Sequence, residues 1–147
     1  MLIQAQAFAP DCRVAVVPAC EADSDANNAQ AQTVQALGLF QMRVRDTIDF
    51  QADFTQWLAA NGAPLLTNAA WTVAATSPKT PTIAGQGFVP AGMTAVVLSV
   101  PSGGAPGDTY YLDITVHIAA TVPSLPTAVA IPARILVRRV NVIVVAG

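Results

Sequence analysis

The chain has 147 residues, a formal net charge of −2, 53% hydrophobic residues and only 11% charged residues. This composition excludes a wholly disordered chain, and seven Lys and Arg residues are too few for a nucleic-acid-binding surface. The most apolar stretch, residues 129–145, is interrupted by one proline and three arginines, so it does not fit a membrane span.

The first 45 residues predict an irregular N-terminal extension. Residues 13–17 are apolar enough for a short strand, as are residues 2–5, whereas residues 21–36 are polar and typical of a loop. Cys12 and Cys20 lie in this extension. A disulfide between them stays open, but the absence of a secretory signal pattern favours two free or buried thiols.

The chain from residue 46 onward predicts an antiparallel β-sandwich. Residues 47–54 alternate between one apolar face and one polar face that carries Asp49 and Asp53, which indicates a half-buried strand. Residues 54–60 break that period and predict a short helix, which Gly62 can end in a left-handed conformation.

Further strands are predicted in the second half of the chain. The segments are residues 65–75, 94–100, 109–119 and 128–145, with a weaker one at residues 82–89. The last is long enough to bend or divide near Arg138 and Arg139. Turn residues separate the strands, and Gly85 to Gly87 is included among these turns. No long amphipathic helix lies between the strands, so a parallel βαβ arrangement is disfavoured.

We find no constellation of residues that supports catalysis. His117 is the single histidine, it lies on the polar face of a predicted strand, and no nucleophile motif accompanies it. Asp49 and Asp53 are about 13 Å apart by strand rise, which is too far for either glycosidase geometry. We therefore predict a protein that is not an enzyme and has no catalytic residues.

Binding motifs are equally incomplete, so we predict no cofactor site and no metal site. Residues 23–27 match half of a calcium loop but lack its glycine and its final glutamate. The glycine-rich segment 102–107 lacks the Lys-Ser/Thr of a phosphate loop and is interpreted as a hairpin connection. Trp57 and Trp71 are assigned to the core rather than to a sugar-binding surface.

Three blocks of sequence carry a resemblance to a known family. They are DFQADFTQWL at residues 49–58, AWTV at residues 70–73 and AVVLSVPSGGAPGDTY at residues 95–110. In this order they resemble small immunoglobulin-like virion proteins of tailed bacteriophages, often described as fibre-to-tail adaptors. A closing strand over residues 134–140 fits the same pattern. Two departures are an inserted Val100-Pro101 and a long segment before the first block.

The resemblance implies an all-β fold, an immunoglobulin-like antiparallel sandwich over residues 46–147. Residues 1–45 depart from the family pattern, and we expect them to form a docking arm. It implies a structural role at the neck or tail of the virion, assembly in the host bacterial cytoplasm, and a homo-oligomer or ring. Its partners would be tail, neck, fibre or capsid proteins, with no nucleic acid and no membrane. The alternatives are a capsid decoration protein and, less favoured, a glycan-binding module with Tyr111 as an exposed aromatic.

The scarcity of charge fits that role, because interfaces between permanent partners are less charged than free surfaces. We expect the two ends of the chain, residues 1–17 and 141–145, to pair with neighbouring chains by strand addition.

Overall fold

A computed structural model of the chain describes residues 13–18, 36–62, 64–121 and 131–146, without the side chain of Ala36. Within these residues the chain forms eight strands and one short helix. They are β1 (Val14–Val16), β2 (Ala36–Arg43), β3 (Thr47–Asp53), α1 (Thr55–Ala60), β4 (Leu66–Val73), β5 (Thr82–Val89), β6 (Met93–Ser99), β7 (Thr109–Ile118) and β8 (Arg134–Val145).

The strands form two four-stranded sheets that pack face to face. Sheet I has the order β1-β3-β6-β5, and sheet II has the order β2-β8-β7-β4. Most neighbours are antiparallel, but β1 runs parallel to β3 and β2 runs parallel to β8. The predicted all-β sandwich with one short helix is confirmed, with parallel pairs at one edge of each sheet as an addition.

The period-two patterns of the sequence place the core between the sheets. Alternate residues of β7 are buried, and they share one core cluster with alternate residues of β3 and β6 from the other sheet. The set comprises Phe50, Ala52, Val96, Leu98, Tyr110, Leu112, Ile114, Val116 and Ile118. Phe40 of β2 stacks on Phe50 of β3 with ring centroids 4.7 Å apart. Burial of these side chains is the main stabilising contribution to such a fold.

Helix α1 closes one end of the sandwich, as the sequence predicts. Its Trp57 and Leu58 are buried in the core. Asp53 Oδ1 accepts a hydrogen bond of 2.9 Å from the backbone N–H of Thr55, the first helical residue. The helix ends at Asn61, and Gly62 follows with a φ of 93°, a conformation that costs a glycine little.

Three details differ from the sequence-based expectation. Segment 102–107 is not a hairpin connection, because β6 belongs to sheet I and β7 to sheet II, so this loop crosses between the sheets. Strand β8 neither bends apart nor divides at Arg138 and Arg139; it pairs with β7 without a register shift. Gly85 and Gly87 lie within strand β5 and do not form a turn.

The expected boundary at residue 46 falls in the tight connection between β2 and β3. Arg43 N–H donates to Asp46 Oδ2 at 2.8 Å in that connection. Both β1 and β2 precede the boundary, yet β1 is a strand of sheet I and β2 is a strand of sheet II. Segments 1–12 and 19–35, which include Cys12, Cys20 and the half-match to a calcium loop, lie outside the described residues.

Candidate functional site

The residues considered for catalysis are held apart on the two sheets. Asp49 accepts a contact of 3.3 Å from Arg13 and a hydrogen bond of 3.2 Å from Gln51, while Asp53 is engaged with the start of α1. His117 is half-buried on strand β7 of the other sheet. Across the described part of the chain, no three His, Cys, Asp or Glu side chains cluster as metal ligands, and no helix is long and apolar enough to span a membrane.

Both tryptophans lie in the core, which confirms their assignment. Trp71 is 1% exposed, and its indole Nε1–H donates to Thr94 Oγ1 at 3.0 Å. The Thr94 hydroxyl in turn donates to the carbonyl of Gly87 at 3.0 Å. Trp57 packs under the guanidinium of Arg134, whose Cζ lies 5.0 Å from the ring centroid. These polar contacts orient the rings inside an otherwise apolar core.

A glutamine side chain links the two sheets at one side of the sandwich. Gln86 of β5 accepts a hydrogen bond of 2.7 Å from the backbone N–H of Trp71, and its amide nitrogen donates to the Trp71 carbonyl at 3.3 Å. The Gln86 amide therefore hydrogen-bonds to both backbone groups of Trp71, as a neighbouring strand would. The sequence gives no sign of this role, because Gln86 stands between two glycines.

The outer face of sheet I carries a shallow groove. The groove has a volume of about 270 Å³ and is lined by residues of β3, β5 and β6, among them Gln51, Gly87, Val89, Met93 and Ala95. Val89 is 55% exposed. A Cβ atom added at Gly85 or at Gly87 would meet nothing within 4 Å. The two glycines therefore leave the β5 side of this face open.

The four edge strands differ in how well they are protected from pairing with another chain. Strand β1 is three residues long, β2 carries Arg43 and an irregular register, and β4 is occupied at Trp71 by Gln86. Strand β5 has eight residues, carries no charge and is mostly exposed. A register shift between Ile83 and Gly85 is its one irregularity. Long uncharged edges are the kind that accept a further strand.

Sheet II buries two arginines, at the position where the sequence suggested that the last strand could bend or divide. Arg138 is 3% exposed and pairs in register with the core residue Ile114, and its Nη1 donates to the carbonyl of Val137 at 2.8 Å. Arg139 is 8% exposed and holds Asp113 in a two-point contact, with Nε–Oδ1 at 2.7 Å and Nη2–Oδ2 at 3.2 Å. Such paired geometry is typical of strong arginine–carboxylate bonds.

A small polar pocket lies beside the loop that crosses between the sheets. It has a volume of about 180 Å³, and Lys79, Ser102, Asp108 and Tyr110 line it. The Tyr110 hydroxyl is buried without a hydrogen-bond partner. Burial, with a smaller contribution from the negative charge of Asp108, raises the pKa of Tyr110 above 10.0. The neutral phenol is thus the stable form, which fits packing rather than chemistry.

The C-terminal strand is not available for pairing with a neighbour, so that part of the strand-addition expectation is wrong. Asn141 to Val145 pair with β2 on one side, and Asn141 to Ile143 pair with β7 on the other. Val144 also exchanges backbone hydrogen bonds with Gly107 and Asp108 at 2.8 Å. Both backbone edges of this segment are occupied within the chain.

A family model matches residues 42–122, which is more than half of the chain; its description is podophage GP4 fiber-tail adaptor protein gp77. The chain belongs to this family. The resemblance inferred from the three sequence blocks is thereby confirmed. The match spans β3 to β7, so it includes the groove on sheet I and the edge strand β5. No curated protein and no solved structure matches the chain.

Proposed function

We propose that this chain is a non-enzymatic structural component of a tailed-phage virion, located at the neck or tail, where it attaches fibres or joins head and tail parts. The observation that carries the proposal is the family match over residues 42–122 to a fibre-tail adaptor. Asp49 and Asp53 make separate contacts on sheet I, and His117 lies on sheet II. This separation is consistent with a role without catalysis.

The strand order supports an immunoglobulin-like classification of the sandwich. Strands β3, β6 and β5 lie in the places of strands B, E and D, and β4, β7 and β8 lie in those of C, F and G. Strand β1 lies in the place of strand A but runs parallel to β3, and β2 is an additional edge strand beside β8. Trp71 lies on the C-like strand, and Tyr110 lies near the start of the F-like strand. Both are hallmark positions of immunoglobulin domains.

Residues 1–45 act, on this proposal, as a docking arm with two anchors. The anchors are β1 and β2, because Ala15 and Phe40 are buried and fix the arm to sheet I and sheet II. The remaining residues of the arm, 1–12 and 19–35, are then the parts that contact other virion proteins and other copies of the chain.

A deletion of residues 2–12 tests the proposal in the assembled particle. The deletion leaves β1, β2 and their buried side chains in place, so the purified variant should unfold at nearly the same urea concentration as the full chain. In particles produced with this variant, mass spectrometry should find the chain strongly depleted, together with the fibres. A Gly/Ser segment of equal length serves as the control for spacing. Normal incorporation and normal fibre content would contradict the docking role.

The location of the chain separates the remaining functions. A cryo-EM map of the particle should place the chain in a small symmetric set at the tail. Hundreds of copies on the capsid surface would instead establish decoration. Retention on a glycan array that depends on Tyr111 would establish glycan binding.

A further inference from the structure

Strand β5 lies at an edge of sheet I and is mostly exposed. Its regular part, residues 85–89, is here called the acceptor edge. The other three edges of the sandwich are short, charged or occupied, as described above, whereas the acceptor edge carries no charged side chain. An open sheet edge offers a row of backbone N–H and C=O groups that an extended segment can satisfy.

We infer that the acceptor edge binds residues 2–9 of a neighbouring copy of this chain, here called the donor segment, as a fifth strand of sheet I. This inference rests on the proposed docking role of the N-terminal arm. The donor segment is LIQAQAFA, eight uncharged residues without proline, which suits an added strand.

The side chains of the donor segment match the two sides of the acceptor edge. On one face of an extended strand lie Ile3 and three alanines, and on the other lie Leu2, two glutamines and Phe8. On the inner side of β5, the Gln86 side chain already reaches to the backbone of β4, so small side chains suit this side of an added strand better than large ones. The alanine face fits this side.

The opposite face of the donor segment fits the outer face of sheet I. Beside β5 this face lacks side chains at Gly85 and Gly87, and the adjoining groove measures about 270 Å³. A cavity of about 150 Å³ suffices for a benzene molecule. Phe8 of the donor segment can therefore lie across the glycines, and aromatic residues that cover strand glycines in this way stabilise sheets.

The position of β1 favours a donor from a neighbouring copy. The described chain enters sheet I at β1, which is the edge opposite β5. Three strand spacings of about 4.8 Å separate these two edges. The donor segment is joined to the chain through β1, at the edge of sheet I opposite the acceptor edge, so pairing between copies is a head-to-tail contact. Contacts of this kind close into rings when the rotation between copies allows it.

Sedimentation velocity of the full chain and its variants tests the inference. Phe8→Glu impairs the donor, and Gly87→Glu impairs the acceptor; Thr47→Glu, at an exposed position of β3, is a matched charge control outside the expected contact. The wild-type chain should self-associate, and each impaired variant should raise the dissociation constant at least tenfold. An equimolar mixture of the two impaired variants should form a dimer, because one intact donor and one intact acceptor remain.

Several results would overturn the inference. They are a wild-type chain that stays monomeric, a Phe8→Glu variant that associates as tightly as wild type, and a mixture that fails to form dimers. Val89→Lys is a second acceptor variant in case Gly87→Glu does not fold, and urea unfolding checks both. If the monomeric chain is nevertheless present in the tail, the proposed function stands without this contact. A self-associating chain that is absent from particles refutes the proposed function alone.

Discussion

The Thr94→Val substitution is a direct test of how the two sheets are joined through the core. Thr94 is 1% exposed, and valine has nearly its shape, so the change removes one hydroxyl without creating a cavity. The hydroxyl accepts the indole N–H of Trp71 and donates to the Gly87 carbonyl, each at 3.0 Å. Its loss leaves the buried indole N–H without this partner.

The magnitude follows from which of the two groups water can reach. Gly87 lies on exposed β5, so water can replace the lost donor there at little cost. The indole of Trp71 lies in the core, and an unsatisfied buried N–H costs about 1–3 kcal/mol. We therefore expect the free energy of unfolding, measured in urea, to fall by about 1–3 kcal/mol with an unchanged m-value.

A double-mutant cycle isolates the hydrogen bond from other effects. Trp71→Phe removes the indole N–H, so Thr94→Val in that background should cost clearly less than it does in the wild type. Thr72→Val, at an exposed position on the same strand as Trp71, should stay within about 0.5 kcal/mol. Equal costs of Thr94→Val in both backgrounds would refute the reasoning, because the hydrogen bond would then contribute nothing measurable.

Three further substitutions, one of them with a matched control, test other parts of the structure by urea unfolding. Tyr110→Phe should leave stability equal or raise it by up to about 1 kcal/mol, because the hydroxyl is buried without a partner. Because the pKa of Tyr110 is raised in the folded chain, the unfolded chain releases the phenol proton at a lower pH, and the wild type should lose stability as the pH rises above 10.0. Tyr110→Phe should remove this loss. Gly92→Ala, at a φ of 132° and 3.1 Å from atoms of α1, should cost about 1–3 kcal/mol, whereas Gly85→Ala, in open space, should be nearly neutral. Asp113→Asn should cost roughly 1–3 kcal/mol, since it weakens the two-point contact with the nearly buried Arg139; a cost below about 0.5 kcal/mol would contradict that account.

The elements that the sequence predicts are those in which burial repeats with a simple period. Tyr110, Leu112 and Ile114 recur every second residue, so the central strand of sheet II could be placed from the pattern alone. Helix α1 was predictable because the apolar pair Trp57-Leu58 breaks that period. Local patterns of this kind are enough to predict the fold class, because each strand must bury one face.

Features that depend on which strands become neighbours could not be predicted in this way. The parallel pairing of β1 with β3 joins residues more than thirty positions apart, and no local pattern encodes it. The same holds for the bridge from Gln86 to Trp71 and for the crossing of segment 102–107 between sheets. Gly85 and Gly87 were misassigned for a related reason, because glycine indicates a turn unless a neighbouring strand holds it in a ladder.

The family match and the inferred contact divide the chain in an informative way. Residues 42–122 contain β3 to β7 and thus the whole acceptor edge, whereas the donor segment and β1 lie outside the matched range. If the contact between copies follows this division, replacing residues 2–9 changes the strength of self-association while leaving the sandwich and its acceptor edge intact. Residues 2–9 precede both anchors of the arm, so this replacement leaves Ala15 and Phe40 in the core.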